Sequence, residues 1–146
     1  MSRAERIAGF TLVEAVLVMA LLALLAAMAW PAFHTHLQRA RRADAVLALL
    51  QLQQHQARWR AAHPAYADAG ALGSPGQSPD GHYHLTVAEP GPFGVDLFAR
   101  ADGTQRNDRS CATFQLRVLH GDSQLLSFRS DGAPNPDLEN RRCWGR

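Results

Sequence analysis

The feature that most constrains this chain is one apolar run near its start. Ala15–Phe33 contains 19 residues without a charged side chain, and Pro31 is its single helix-breaking residue. About 20 apolar residues are what a helix needs to cross a hydrocarbon core of ~30 Å. The run leaves about 110 of the residues to fold in water, enough for one small core. A chain of this length and pattern does not hold a large multidomain enzyme.

The run is the first part of a longer predicted helix. Val13–Ala62 has no glycine and one proline, and it is rich in Ala, Leu, Gln and Arg, which favour helix. A helix over Phe10–Ala62 would measure about 80 Å at ~1.5 Å per residue. We therefore expect its first half to lie in lipid or against copies of itself. Pro31 removes one backbone donor, which predicts a kink or a hinge.

In the second half of the helix, the i, i+3, i+4 spacing of apolar and small side chains predicts a face that covers a sheet. The predicted stripe is Ala43, Val46, Leu47, Leu50, Gln54, Ala57 and Ala61. Leu49, Leu52 and Trp59 lie off this stripe, and we assign them either to edge packing or to contact with a neighbouring molecule.

The remainder of the chain predicts a loop followed by a sheet. The region 63–81 contains three prolines and four glycines and is long for a loop. Alternating apolar residues then mark four short strands, at Tyr83/Leu85/Val87, Val95/Leu97/Ala99, Phe114/Leu116/Val118 and Leu126/Phe128, with a hairpin turn at His120-Gly121-Asp122. The predicted fold is α+β: a long N-terminal helix, with a membrane half and an amphipathic half, packed on a four-stranded antiparallel sheet.

The N-terminus has the elements of an export signal in an unusual order. Arg3 and Arg6 form a basic leader, but Gly9 and Phe10 precede the apolar run, so cleavage there would leave the run on the mature chain. Glu14 is a carboxylate in a segment otherwise suited to lipid, where charge is costly and marks function. It either neutralises the new Phe10 amine of a neighbouring copy or lies at the interface, where a helix start favours negative charge.

These residues together resemble the class III signal of the type IV prepilins. The resemblance implies that a prepilin peptidase cleaves after Gly9 and N-methylates Phe10, and that Glu14 and Pro31 serve assembly. It implies the pilin lollipop fold, divided into a leader (1–9), a transmembrane and assembly half of the helix (10–36) and a head (37–146). The loop 63–81 then corresponds to the αβ-loop, and 111–143 to a disulfide-bounded loop.

The same resemblance implies partners and location. We expect the chain in the bacterial inner membrane as a single-pass protein with a periplasmic C-terminal part, in contact with lipid and the assembly machinery. It then joins other pilin subunits in an extracellular filament used for adhesion, twitching motility or DNA uptake. Three arginines directly after the apolar run, Arg39, Arg41 and Arg42, argue mildly against export of the C-terminal part. The family resemblance overrides that argument.

Further features are similar to PilE-type and ComP-like minor pilins. They are Asp44-Ala45, the Gln-rich helix end, Tyr66, His82-Tyr83, Gln105, Asp108 and the final Cys143-Trp144. One departure is Gln56, where relatives often carry glutamate. Alternatives are a type II secretion pseudopilin, which often lacks the cysteine pair, and a membrane-anchored binding protein that does not polymerise.

The two cysteines, Cys111 and Cys143, are far apart and form no metal-binding motif. In an exported chain they are expected to form a disulfide rather than two free thiols. Closing that loop would contribute roughly 3–4 kcal/mol in the chain-entropy account. In pilins, the two C-terminal cysteines bound the most variable surface of the subunit.

Arginines cluster in or beside this loop. They are Arg129, Arg141, Arg142 and Arg146, with Trp144 among them. Arginine pairs with phosphate, and an aromatic ring stacks on a base. ComP-like pilins bind DNA during natural transformation, so the cluster is a candidate DNA-binding site. The alternative is a solvated loop with a buried Trp144.

Other chemistry is not indicated by the sequence. The chain has no catalytic signature and no phosphate-binding glycine loop, so we expect no enzymatic activity and no cofactor. His82 and His84 share a strand face, but no third ligand has predictable proximity, and we expect no metal site.

The processing signal makes a direct prediction. Mass spectrometry of filaments sheared from the cell surface should detect a peptide that begins at N-methylated Phe10, because cleavage after Gly9 precedes assembly. Processed protein found only in the inner membrane, despite abundant sheared filaments, would contradict the pilus assignment and favour a pseudopilin or a non-polymerising anchor.

Overall fold

The computed structural model describes residues 11–146, without the side chains of Ala29, Pro31 and Ala32. The elements are α1 (Leu12–Arg60), β1 (Tyr83–Ala88), β2 (Gly94–Ala101), a 3-10 helix (Gly103–Asn107), β3 (Thr113–Leu119), β4 (Asp122–Phe128) and α2 (Asp137–Cys143). This arrangement confirms the predicted α+β pilin-like fold. The chain forms two compact units, with the boundary after Leu37.

The described part of the first unit is helical. The Thr11 hydroxyl oxygen accepts a hydrogen bond from the Glu14 amide over 3.2 Å, so Thr11 caps α1, and Thr-x-x-Glu is a recurrent helix-start sequence. The large apolar side chains along this segment are exposed, from Leu12 at 80% to Phe33 at 61%. An apolar surface of this extent needs a covering of lipid or protein.

The sheet of the second unit is an antiparallel meander in the order β1-β2-β3-β4. Leu97 on β2 stands opposite Val87 on β1 and Leu116 on β3, which aligns the apolar rows of the central strands. His120 and Gly121 both have positive φ, 51° and 90°. This two-residue connection from β3 to β4 matches the type I′ turn and confirms the predicted hairpin turn, with Asp122 belonging to β4.

The face of α1 that covers the sheet differs from the predicted stripe. Leu49 and Leu52 are buried, whereas Leu47 and Leu50 are 51% and 43% exposed. The face in contact with the sheet consists of Ala45, Ala48, Leu49, Leu52 and Gln56. Both sets follow helical spacing, because this half of α1 is apolar on two sides, so periodicity alone could not select the buried one. Trp59, also off the predicted stripe, is half-buried and stacks on His63.

Two polar side chains of α1 fix the predicted loop 63–81. Gln56 is 1% exposed; its amide nitrogen donates to the Ala67 carbonyl over 2.7 Å and its oxygen accepts from the Ala67 amide over 2.9 Å. An ionised glutamate could not donate the first bond, so the contact with Ala67 as it stands requires the glutamine amide. The Asp44 carboxylate accepts hydrogen bonds from the Ser78 hydroxyl and from the Asp80 and His82 amides.

The outer face of the sheet carries an ion pair between directly opposed residues of β2 and β3. The Arg117 guanidinium donates two hydrogen bonds to the Asp96 carboxylate, over 2.8 and 2.9 Å. These bonds lower the pKa of Asp96, whose side chain is largely buried, while partial desolvation opposes them. Because the folded pKa is below the unfolded one, the pair contributes stability above about pH 4 and loses it as the pH falls through the folded pKa.

Asp96→Asn should therefore lower the free energy of unfolding at pH 7 by about 1 kcal/mol, since Arg117 is partly exposed and solvent weakens the pair. The difference in the free energy of unfolding between the variant and the wild-type chain should decrease towards pH 3. Urea denaturation of the full chain in detergent micelles at the two pH values measures both. Asp122→Asn, at the exposed first residue of β4, is the control. An equal loss at pH 7 and pH 3 would contradict the ion-pair account.

Candidate nucleic-acid interface

The predicted processing residues Gly9 and Phe10 lie outside the described residues. Glu14 is exposed in the first turn of α1, and Pro31 falls within the α1 range. Among the described residues, no single unbroken helix is long and apolar enough to cross a membrane. The bent pair Leu12–Met28 and Phe33–Arg60 meets the length and composition requirements together.

A disulfide joins the C-terminal segment to the loop that precedes β3. The Cys111 and Cys143 Cα atoms are 5.7 Å apart and both side chains are buried, which confirms the predicted disulfide. Asn140 adds two bonds to β4: its amide nitrogen donates to the Leu125 carbonyl over 2.8 Å, and its oxygen accepts from the Ser127 hydroxyl over 2.7 Å. The short helix α2 is thereby fixed beside the edge strand.

Trp144 is part of the core. It is 7% exposed, its ring meets the Phe114 ring edge to face at 5.3 Å, and its Nε1 donates to the Leu126 carbonyl over 3.2 Å. The indole face is thus not available to stack on a base. Trp144 instead supports the position of the arginines on either side of it in the chain.

The end of α2 brings three arginines together. Gly145 has φ of +70°, a conformation that glycine adopts without strain. The Gly145 amide bonds the Arg142 carbonyl over 3.4 Å, and the Arg146 amide bonds the Arg141 carbonyl over 2.9 Å. This is a Schellman turn, and it returns the Arg146 backbone to that of Arg141.

The exposed side of α1 and the C-terminal segment enclose a groove of about 870 Å³, here called the α1–α2 groove. Its basic side chains come from both elements: Arg39, Arg42, Arg142 and Arg146. Its apolar residues include Ala43, Val46, Leu47, Leu50 and Trp144, and its one carboxylate is Glu139. Arg141 instead lines an adjoining depression, which it shares with Arg146 and Gln53.

The arginines of this region differ in how they are paired. Arg42 donates two hydrogen bonds to the buried Asp108 carboxylate, over 2.7 and 2.9 Å. Within residues 11–146, no carboxylate lies within ion-pair distance of Arg39, Arg141, Arg142 or Arg146. These four guanidinium groups are therefore available for an anionic ligand.

Arg129, the remaining predicted arginine, lies elsewhere. It follows β4, its guanidinium is 3.9 Å from the Asp131 carboxylate, and it lines neither the groove nor the adjoining depression. Arg39, by contrast, joins the cluster although it lies about a hundred residues away from α2 along the chain. Sequence reasoning linked Arg39 to the membrane segment and gave no signal that it meets the C-terminal arginines.

The Arg42–Asp108 pair belongs to a buried polar network beneath the groove. The Gln105 amide nitrogen donates to the Gln38 carbonyl, the Tyr83 hydroxyl and the Asp108 carboxylate. Burial raises the pKa of the Tyr83 phenol, and the hydrogen bond from Gln105 opposes the rise. The Cys111 amide also bonds Asp108, so the network connects α1 to the disulfide. Among the described residues, no group of three potential metal ligands occurs.

Arg42→Ala should reduce the free energy of unfolding by about 3 kcal/mol, because it leaves a buried carboxylate without its charged partner. Adding Asp108→Asn to that variant should restore part of the loss, since it removes the buried charge. Chemical denaturation of the full chain measures both values. A loss below about 0.5 kcal/mol, the range of ordinary surface changes, would contradict the structural role of Arg42.

Two family descriptions match the chain. Residues 6–30 match the prokaryotic N-terminal methylation motif, as predicted from Gly9 to Glu14 and the apolar run, and this is the motif of a membrane-anchored pilin that later enters a pilus. Residues 31–115 match the family described as type IV minor pilin ComP, DNA uptake sequence receptor. No curated protein matches the chain.

The second match spans more than half of the chain and runs from α1 through β2 into β3. It identifies a subunit of a type IV pilus, a structural protein that assembles with other pilins. The cluster of arginines at the end of α2 lies beyond the matched residues, so its arrangement is known from the structure alone. The chain belongs to the type IV minor pilins of the ComP family.

Proposed function

We propose that this minor pilin is a DNA receptor, and that Arg141, Arg142 and Arg146 bind the phosphate backbone with help from Arg39. The observation that carries the proposal is the Schellman turn at Gly145, which brings the Arg146 backbone back to that of Arg141. The three side chains are exposed. The family description, a DNA uptake sequence receptor, supports DNA as the ligand.

Guanidinium groups suit this ligand because their planar donors match phosphate oxygens in pairs. Contacts to phosphate supply affinity and orientation but carry no base sequence. The buried Trp144 takes no direct part; it holds the end of α2 against the core through Phe114 and Leu126. The arginines at the end of α2 are thus a general phosphate-binding surface on a rigid support.

The proposal includes the route by which the subunit reaches DNA. Prepilin peptidase cleaves after Gly9 and methylates Phe10, and the head is exported to the periplasm while the apolar helix stays in the inner membrane. During assembly the Glu14 carboxylate neutralises the Phe10 amine of a neighbouring subunit, and Pro31 lets the helix adjust. The subunit then displays its arginines on an extracellular filament and catalyses no reaction.

The affinity of the full chain for a labelled DNA duplex should fall when Arg141 and Arg142 are both replaced by alanine. Fluorescence anisotropy in detergent, repeated across a series of salt concentrations, measures the effect. The slope of log K against log salt is negative, and each phosphate contact removed should make it less negative by about 1. The slope of the double variant should therefore be smaller in magnitude by about 2. The loss of affinity should be the same for duplexes of different base sequence.

Arg100→Ala is the matched control, because Arg100 is an exposed arginine of β2 on the side of the sheet away from α1. In the strand register it lies opposite His84 of β1 and Thr113 of β3. It should leave the affinity and the salt slope unchanged. Unchanged binding by the Arg141→Ala, Arg142→Ala variant, or an equal loss in the control, would remove the C-terminal arginines as the DNA-binding surface.

A further inference from the structure

We propose that the α1–α2 groove binds an anionic phospholipid of the membrane in which the subunit is anchored. This inference goes beyond DNA binding, although Arg142 and Arg146 would serve both ligands. It rests on the combination of leucines and arginines in the groove. A phosphate backbone would contact the arginines and leave the leucines exposed.

The first observation is the apolar floor. Leu47 and Leu50 are about half exposed on the side of α1 that faces away from the sheet, with Ala43 and Val46 beside them. A DNA backbone presents mainly charged phosphates and polar sugars to these side chains, whereas an acyl chain would cover them and remove their own carbon groups from water, at about 0.8 kcal/mol for each methylene. The floor therefore favours an amphiphile.

The second observation is the charge at the walls. Arg39, Arg142 and Arg146 line the groove without an ion-pair partner among the described residues, and Glu139 is the single carboxylate. The Arg42 guanidinium is already paired with the Asp108 carboxylate. Three available cations against one anion fit a phosphate-bearing head group with net negative charge better than a zwitterionic one.

The third observation is chain connectivity. Arg39 follows Phe33, the end of the apolar run, by six residues. Six residues span at most about 20 Å even when fully extended. Whatever the orientation of the head, Arg39 at one end of the groove stays within reach of the head-group layer while the apolar run is in the membrane.

The test uses the full processed chain in nanodiscs that contain a phosphatidylglycerol probe with a photoreactive group on one acyl chain. After irradiation, mass spectrometry locates the adducts. The expected result is labelling of the peptides that carry Ala43–Leu50 and Cys143–Arg146, in addition to Leu12–Phe33. A phosphatidylcholine probe of the same chain length should label the groove less, by about fivefold for each arginine contact it lacks.

Two variants separate the parts of the groove. Leu47→Gln with Leu50→Gln should remove labelling by both probes in the groove, because the floor becomes polar at exposed positions that the core does not require. Arg142→Ala with Arg146→Ala should reduce the difference between the two probes to the contribution of Arg39 alone, about fivefold. Labelling confined to Leu12–Phe33, or equal labelling of the groove by both probes in the unchanged chain, would overturn the proposal. Cross-links from groove residues to a second copy, in place of lipid adducts, would overturn it as well.

Failure of the lipid proposal can be distinguished from failure of the DNA proposal, because different variants affect the two ligands. The leucine pair lines the groove and is not part of the proposed phosphate contacts, so its variant should retain DNA binding and the salt slope. Arg141→Ala should weaken DNA binding and leave groove labelling unchanged, because Arg141 lines the adjoining depression.

Discussion

The Cys111–Cys143 disulfide is the link on which the position of the C-terminal arginines depends. It joins α2 to the loop before β3, where the buried Asp108 carboxylate also receives Arg42 from α1. Helix α2 has only seven residues and would not be stable alone. Helix α2 is stabilised instead by the covalent bond, by the Asn140 contacts with β4 and by the buried Trp144 ring.

This support explains how so small a head can present a cluster of like charges. Unpaired arginines at the end of α2 repel one another, but the last turn of a helix favours cations. The Schellman turn at Gly145 fixes the backbone, and Trp144 fixes the end of α2 against Phe114. The charges are thus held by apolar and covalent contacts, and among the described residues these guanidinium groups have no ion-pair partner.

The second half of α1 has two apolar sides with different roles. One side, with Ala45, Ala48 and Leu49, packs closely on the sheet, and its small residues allow that approach. The other, with Leu47 and Leu50, forms the floor of the α1–α2 groove. A helix that served only the core would have a polar outer side, so the second apolar side indicates a further contact.

The sequence by itself determined the long apolar helix, the α+β order of elements, the β3–β4 turn and the cysteine pair, because local composition, period-two alternation and the processing motif specify them. The family also followed from residues 9 to 14 and the run after them. The tertiary structure decided which side of α1 is buried, since both sides follow helical spacing and only the sheet selects between them. It also decided that Trp144 is buried, that Arg129 stands apart and that Arg39 joins the C-terminal arginines, because contacts between residues distant in the chain leave no periodic signal.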